Sequence, residues 1–120
     1  MPPLNASASP RTLSAEELAT WLQRGDPPQL VDVREDQELA IARLTHPVVH
    51  LPLSRASEWM AEMASRLDAE RPVVVLCHAG VRSWQFGCWL MEAQGFSDVW
   101  NLEGGIEAWS LRVDASVPRY

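Results

Sequence analysis

Lysine is absent from the 120-residue sequence, and all ten basic residues are arginines. Schiff-base enzymes and P-loop nucleotide sites both need a primary amine side chain, so the composition excludes both kinds of site. The formal net charge is −6. Nucleic acids and anionic membranes favour basic surfaces, and this acidic chain is therefore not expected to bind either one as its main partner.

Cysteine is scarce, with Cys77 and Cys88 as the only two. Two cysteines are too few for a disulfide framework, and this pair lacks the Cys-x-x-Cys spacing of redox and zinc sites. His46 and His50 have no cysteine or carboxylate at metal-ligand spacing, so we predict neither a metal nor a cofactor. The sequence also lacks a signal-peptide pattern and an apolar run of membrane-spanning length. We therefore expect a cytoplasmic protein with reduced thiols.

The length of the chain suits one hydrophobic core and is too short for two. Residues 1–10 contain three prolines with Ser, Asn and Ala, a composition that buries little surface. We predict that these ten residues form a flexible N-terminal segment and that one domain follows it.

Strands and helices alternate along the predicted domain. Val73-Val74-Val75-Leu76 is the strongest strand signal, because it is β-branched and uninterrupted, as is typical of the centre of a parallel sheet. Residues 81–94 are apolar on nearly every side, so we expect a well-covered helix there. The alternation predicts an open α/β sheet. The other expected strands are 29–33, 47–51 and 98–102, and the other expected helices are 15–24, 36–43, 54–67 and a short one opened by Gly104-Gly105.

The carboxyl end of the strongest strand carries Cys77, at the sheet edge where open α/β folds bind ligands. The small residues of the segment 78–81 let the backbone curl, so that its N–H groups form an anion-binding nest at a helix N-terminus. Helix N-termini and nearby cations lower a cysteine pKa from about 8.5 to about 3.5–7.5. Arg82 is the expected cation, and its planar fork also suits an anionic substrate. Ser83 is expected to cap the helix or to donate a further hydrogen bond.

A free cysteine that ends a buried strand is often only a small apolar residue. The combination of Gly80, Arg82 and Ser83 at these offsets, after a strand and before a helix, favours a functional loop instead. Asp32 and Arg34 leave a strand at the same edge, and we interpret them as structural anchors. Cys88 lies inside a predicted helix, and we interpret it as a buried packing residue.

Three separated blocks resemble the rhodanese-like sulfurtransferases, and the resemblance covers residues 11–118. The blocks are the Asp-Val-Arg segment at 30–35, the active loop at 77–83, and Gly95-Phe96 with the closing segment at 101–109. The resemblance implies a rhodanese-like domain over 11–118 with an open parallel five-stranded sheet and helices on both faces. The segment 42–47 departs from the family's usual Gly-His-Ile-Pro-Gly-Ala.

The resemblance also implies a thiosulfate sulfurtransferase activity. Cys77 takes a sulfane sulfur from a small-molecule donor such as thiosulfate, becomes a persulfide, and passes the sulfur to cyanide, a thiol or a protein acceptor. Arg82 holds the anionic end of the donor. The implied substrate-binding residues are His78, Ala79, Gly80, Val81, Arg82 and Ser83.

Two other functions stay open at this point. Cysteine phosphatases and arsenate reductases also place a cysteine and an arginine around an anion, but resemblance to them requires five intervening residues. Only four separate Cys77 from Arg82, which suits one sulfur atom better than a phosphoryl group. A rhodanese-like module that binds a partner or relays sulfur between proteins has the same residues as a free-standing enzyme.

Overall fold

The computed structural model describes residues 8–120. Residues 1–7, which make up most of the predicted flexible segment, lie outside the described residues. The described chain contains five strands: β1 (Arg11–Leu13), β2 (Gln29–Asp32), β3 (Val49–His50), β4 (Val73–Leu76) and β5 (Val99–Leu102). Its α-helices are α1 (Ala15–Leu22), α2 (Asp36–Ile41), α3 (Ala56–Trp59), α4 (Met63–Arg66), α5 (Val81–Gln94) and α6 (Gly105–Arg112).

The five strands form one sheet in the order β1-β5-β4-β2-β3. Every neighbouring pair is parallel. The predicted open parallel five-stranded sheet is therefore confirmed, and β4 lies at its centre as its β-branched sequence predicted. Residues of β4 are fully buried from Val73 to Leu76.

Alternate residues of β4 point into two separate apolar layers, as the period of two in a strand requires. Val73, Val75 and Cys77 belong to the layer beneath α3, α4 and α5. Val74 and Leu76 belong to the opposite layer, with residues of α1 and α6. Helices thus cover both faces of the sheet, and Cys77 faces the side on which α5 packs.

Capping signals in the sequence correspond to helix ends in the structure. The hydroxyl of Ser14 accepts a hydrogen bond from the Glu17 backbone N–H at 3.0 Å, and the Glu17 carboxylate accepts one from the Ser14 N–H at 2.8 Å. This is the reciprocal capping box that starts α1. Gly95 ends α5 with φ at 75°, in the left-handed region that favours glycine at this position.

The predicted continuous helix over 54–67 is wrong. The structure has two four-residue helices, α3 and α4, preceded by 3₁₀ segments at Leu53–Arg55 and Met60–Glu62. Trp59 and Met63 are buried, whereas Met60 is 44% exposed. The tighter 3₁₀ turns interrupt the helix, but Trp59, Met63 and Leu67 remain buried at intervals of four, so the apolar periodicity marked the buried face and not the type of helix.

Strand β1 was not predicted, because only Leu13 of its three residues is buried and so little burial leaves no pattern to detect. The expectation that α5 is well covered is also wrong, since Val81 and Trp84 are 66% and 44% exposed. Helix α5 packs on the sheet by one face, made of Ser83, Phe86, Gly87 and Leu90.

The predicted division between a flexible segment and a domain at residue 11 stays a prediction. Pro10 is buried and packs on Gly87, where an added Cβ would lie 2.9 Å from the proline ring. Within residues 8–120, no helix is both long and apolar enough to cross a membrane.

Candidate active site

The segment between β4 and α5 turns back over the sulfur of Cys77. Gly80 has φ at 106°, a conformation that a side chain disfavours. This turn directs the Gly80 backbone N–H to the sulfur, with an N–Sγ distance of 3.1 Å. The Ser83 hydroxyl, one turn into α5, lies 3.3 Å from the same sulfur. The strand end and the helix start thus bring two donors to one buried thiol, which is 1% exposed.

These contacts favour the ionised form of Cys77. Burial opposes ionisation, but hydrogen bonds from the Ser83 hydroxyl and from the backbone N–H groups of Ser83, Gly80 and Ala79 outweigh it and lower the pKa of the thiol. A thiolate is the nucleophilic form of cysteine. The geometry therefore favours the thiolate form at this buried position.

Asn101 is a residue of this network to which the sequence had assigned no role. Its Nδ2 donates to the Gly80 carbonyl at 3.0 Å, and its Oδ1 accepts from the Ser83 hydroxyl at 2.5 Å. One amide on β5 thus orients both of the groups that contact Cys77. A polar residue inside an otherwise buried strand was the signal available in the sequence, because buried polar side chains need partners.

The start of α6 joins the same loop from the other side. The Ile106 N–H donates to the Cys77 carbonyl at 2.9 Å, and the Glu107 N–H donates to the His78 carbonyl at 3.1 Å. Gly105 makes this approach possible: its φ is 61°, and an added Cβ would lie 2.5 Å from the Cys77 carbonyl oxygen. The closing segment 101–109 is therefore in direct contact with the loop.

Asp32 and Arg34 form a buried ion pair beside the loop, with side chains 1% and 0% exposed. The Arg34 Nε and NH2 groups donate to the Asp32 carboxylate at 2.8–3.2 Å, and the Arg34 backbone N–H donates to it at 3.0 Å. His50 Nε2 lies 2.6 Å from the Arg34 carbonyl. These bonds tie the end of β2 to β3, which agrees with the structural interpretation of the pair.

Arg82 lies on the first turn of α5, but its charge is already paired. Its NH1 and NH2 groups donate to the two carboxylate oxygens of Glu38 at 2.7 and 2.9 Å. The pair raises the pKa of Arg82, chiefly through these hydrogen bonds. Glu38, on α2, is a second site residue that the sequence had not indicated.

Tyr120 is the third such residue, and it covers the exposed side of the loop. Its ring stacks on the His78 ring with a centroid distance of 4.1 Å and an interplanar angle of 14°. Its hydroxyl donates to Glu38 at 2.8 Å and accepts from Arg34 NH1 at 3.0 Å. No local pattern marks a tyrosine 38 residues beyond Arg82, because only the fold brings the two together.

Cys88 is separate from this site. It lies on α5 and is half-buried, so the prediction of a buried packing residue is wrong. Position 88 lies at the edge of the face by which α5 packs on the sheet. Burial and the charge of Glu92 raise its pKa, in the opposite direction from that of Cys77. In the described part of the chain, no group of three potential metal ligands occurs.

An open parallel sheet whose central strand ends in a cysteine, followed by a tight loop and a helix, defines a class of α/β domains. The family model "Rhodanese-like domain" matches residues 14–112. The chain belongs to this family.

Named relatives cover most of this chain. The "Rhodanese-like/PpiC domain-containing protein 12, chloroplastic" of Arabidopsis thaliana is 42% identical over 113 residues, which are 92% of this chain and 37% of that protein. The "Putative sulfurtransferase YtwF" of Bacillus subtilis is 32% identical over 82% of this chain and 89% of its own length. The chain thus spans about a third of the first relative, whose name also places it in the chloroplast. A cytoplasmic location for this chain stays a prediction.

A solved structure shows the same architecture. The rhodanese-like domain protein from Staphylococcus aureus superimposes with a TM-score of 0.70 at 26% identity. The match covers 92% of this chain and 98% of that one. The fold assignment therefore extends over nearly the whole of both chains.

Proposed function

We propose that this chain is a sulfurtransferase that carries sulfur as a persulfide on Cys77. The observation that carries the proposal is the pair of hydrogen bonds to the Cys77 sulfur from the Gly80 N–H and the Ser83 hydroxyl. Both donors stabilise negative charge on sulfur, whether it belongs to a thiolate or to a persulfide. Membership of the rhodanese-like family and the sulfurtransferase names of relatives support the same reaction.

The reaction has two nucleophilic steps. With thiosulfate as donor, the Cys77 thiolate attacks the outer sulfur, the S–S bond of the donor breaks, and its electron pair leaves with sulfite. The enzyme then carries a persulfide anion. Cyanide or an acceptor thiolate attacks the terminal sulfur, the persulfide S–S bond breaks, and its electron pair returns to Cys77 as the thiolate. The steps need no cofactor, because one sulfur atom moves between nucleophiles.

The loop residues supply the binding site in this proposal. Backbone N–H groups over the segment 78–83 surround the transferred sulfur, and the Ser83 hydroxyl adds one donor. The small residues Ala79 and Gly80 let the loop close around a single atom. Val81 is 66% exposed and His78 about one third exposed, so donor and acceptor approach over these two residues.

The phosphatase alternative is less well supported. A phosphoryl group needs an arginine whose fork is free to hold its oxygens, whereas Glu38 occupies both terminal nitrogens of Arg82. The choice between a free-standing enzyme and a sulfur relay rests on the acceptor. The named relatives include both a longer protein, of which this chain covers 37%, and a protein of similar length, of which it covers 89%. Their lengths therefore do not favour either alternative.

Mass spectrometry of the intact protein tests the proposal. After incubation with thiosulfate, or with another sulfane sulfur donor, the mass should rise by one sulfur atom, and cyanide should remove that sulfur as thiocyanate. Cys77→Ser should abolish the change, and Cys88→Ser is the matched control that should retain it. If wild-type protein gains no sulfur from any of several sulfane donors, the proposed function is wrong.

A further inference from the structure

The arginine on the first turn of α5 is held by a carboxylate of the chain itself. Arg82 and Glu38 meet through two parallel hydrogen bonds of 2.7 and 2.9 Å. Their side chains are 36% and 16% exposed, so solvent screens this pair less than a fully exposed one. An incoming anion therefore meets an ion pair with no net charge in place of a free guanidinium.

Glu38 is fixed in place by more than Arg82. Its carboxylate also accepts from the Tyr120 hydroxyl at 2.8 Å and from the Glu35 backbone N–H at 3.0 Å. Hydrogen bonds from Arg82, opposed by burial and assisted by the other donors, lower the pKa of Glu38 to about 2. The carboxylate is therefore ionised at every pH at which the protein is handled.

This arrangement affects donors according to their charge. To reach the Arg82 fork, a dianion such as thiosulfate must displace a carboxylate that accepts hydrogen bonds from four donors. The charge of that carboxylate also cancels the attraction that a free Arg82 would exert on the dianion. A donor with one negative charge or none loses less attraction through this pairing and depends less on the fork. Like charges placed close together are a known source of specificity in binding sites.

We propose that Glu38 determines donor specificity: it disfavours dianionic donors and favours donors with at most one negative charge, a class that includes alkyl and cysteinyl persulfides. This inference rests on the proposed function of Cys77. For a neutral persulfide, the Cys77 thiolate attacks the outer sulfur of R–S–SH, the S–S bond breaks, and R–S⁻ leaves with the electron pair. Cys77 then carries the S–SH group.

Two small donors that differ by one charge test the proposal. Thiosulfate and methanethiosulfonate both deliver a sulfane sulfur, but a methyl group in the second replaces one charged oxygen of the first. Transfer to cyanide is measured for each donor at about 0.15 M salt, where charges more than about 8 Å apart are largely screened. In Glu38→Gln, kcat/KM should rise about 10-fold for thiosulfate and at most about 3-fold for methanethiosulfonate.

Glu62→Gln is the matched control, because it removes a carboxylate from an exposed pair with Arg66 and should leave both values unchanged. A measurement on wild-type protein covers the case in which Glu38→Gln does not fold. Wild type should prefer methanethiosulfonate to thiosulfate more strongly than the thiolate of 2-mercaptoethanol does in free solution.

The outcomes separate this inference from the proposed function. If both donors load Cys77 and the Glu38→Gln substitution leaves their ratio unchanged, Glu38 has no part in specificity. An equal preference in wild type and in 2-mercaptoethanol also overturns the inference. If neither of these donors nor an alkyl persulfide loads wild-type Cys77, the proposed function itself fails.

Discussion

Ser83→Ala tests whether the hydroxyl at the start of α5 stabilises the ionised form of Cys77. The substitution removes one donor 3.3 Å from the sulfur and leaves the Gly80 N–H in place. Alanine is a good helix former. The substitution removes a single oxygen atom from a fully buried position, so the change in volume is small. We expect a protein that folds and whose Cys77 reacts more slowly below neutral pH.

The magnitude follows from the strength of a hydrogen bond to a charged group, about 1.5–3 kcal/mol. At about 1.4 kcal/mol for each factor of ten, the loss lowers the thiolate population roughly 10- to 150-fold at a pH where the thiol form dominates. The remaining thiolate is more basic and therefore a better nucleophile. With a Brønsted coefficient of about 0.4–0.5, this higher nucleophilicity compensates for just under half of the decrease in rate on a logarithmic scale. The expected net decrease in rate is roughly 4- to 15-fold.

The assay is the reaction of Cys77 with a small uncharged disulfide, followed as a function of pH in a Cys88→Ala background that leaves one thiol. Ser110→Ala is the matched control. Ser110 is also buried, and its hydroxyl donates to the Val117 carbonyl at 2.5 Å, so this variant loses a buried serine hydrogen bond outside the loop. Its rate should equal that of the Cys88→Ala parent.

An unchanged rate in Ser83→Ala would refute this reasoning, and the competing partner of the hydroxyl would be the physical reason. A serine hydroxyl has one proton, and the hydroxyl of Ser83 also lies 2.5 Å from Asn101 Oδ1. We expect that proton to turn from Asn101 to the sulfur when Cys77 ionises. If it stays on Asn101, the Gly80 N–H and the helix N-terminus stabilise the thiolate without the hydroxyl.

Two further predictions concern the support of the loop and the difference between the two thiols. Asp32→Ala leaves the buried Arg34 guanidinium unpaired, so the free energy of unfolding, measured in urea, should fall by about 3–5 kcal/mol. Adding Arg34→Met removes the unpaired charge and should restore part of that loss. A double variant whose loss equals the sum of the two single losses would contradict this account. Below its pKa each thiol is protonated and unreactive. Hydrogen bonds outweigh burial and lower the pKa of Cys77, whereas burial and the charge of Glu92 raise the pKa of Cys88. In variants that keep only one cysteine, disulfide exchange should therefore continue to lower pH for Cys77 than for Cys88. Overlapping pH profiles would show that the two pKa values do not differ.

Much of the architecture could be predicted because its signals are local. The uninterrupted apolar run of β4 marks a central parallel strand, and the Ser14–Glu17 spacing marks the start of α1. The bounds predicted for β4 and α5 agree with the structure. The segment 54–67 was predictable only in part, because its apolar spacing marks the buried face whereas no local signal marks the 3₁₀ turns that interrupt the helix.

The sequence by itself determined the fold class, the position of Cys77 at a strand end, and the small residues that let the loop turn. These depend on residue type and short-range order. Tertiary structure decided which partners reach that loop: Asn101 on β5, Glu38 on α2 and Tyr120. Long-range packing places these residues, so their spacing in the sequence carries no signal. The sequence predicts Cys77 as the nucleophile, but the groups that orient its hydrogen-bond donors and pair with Arg82 became visible only in the folded chain.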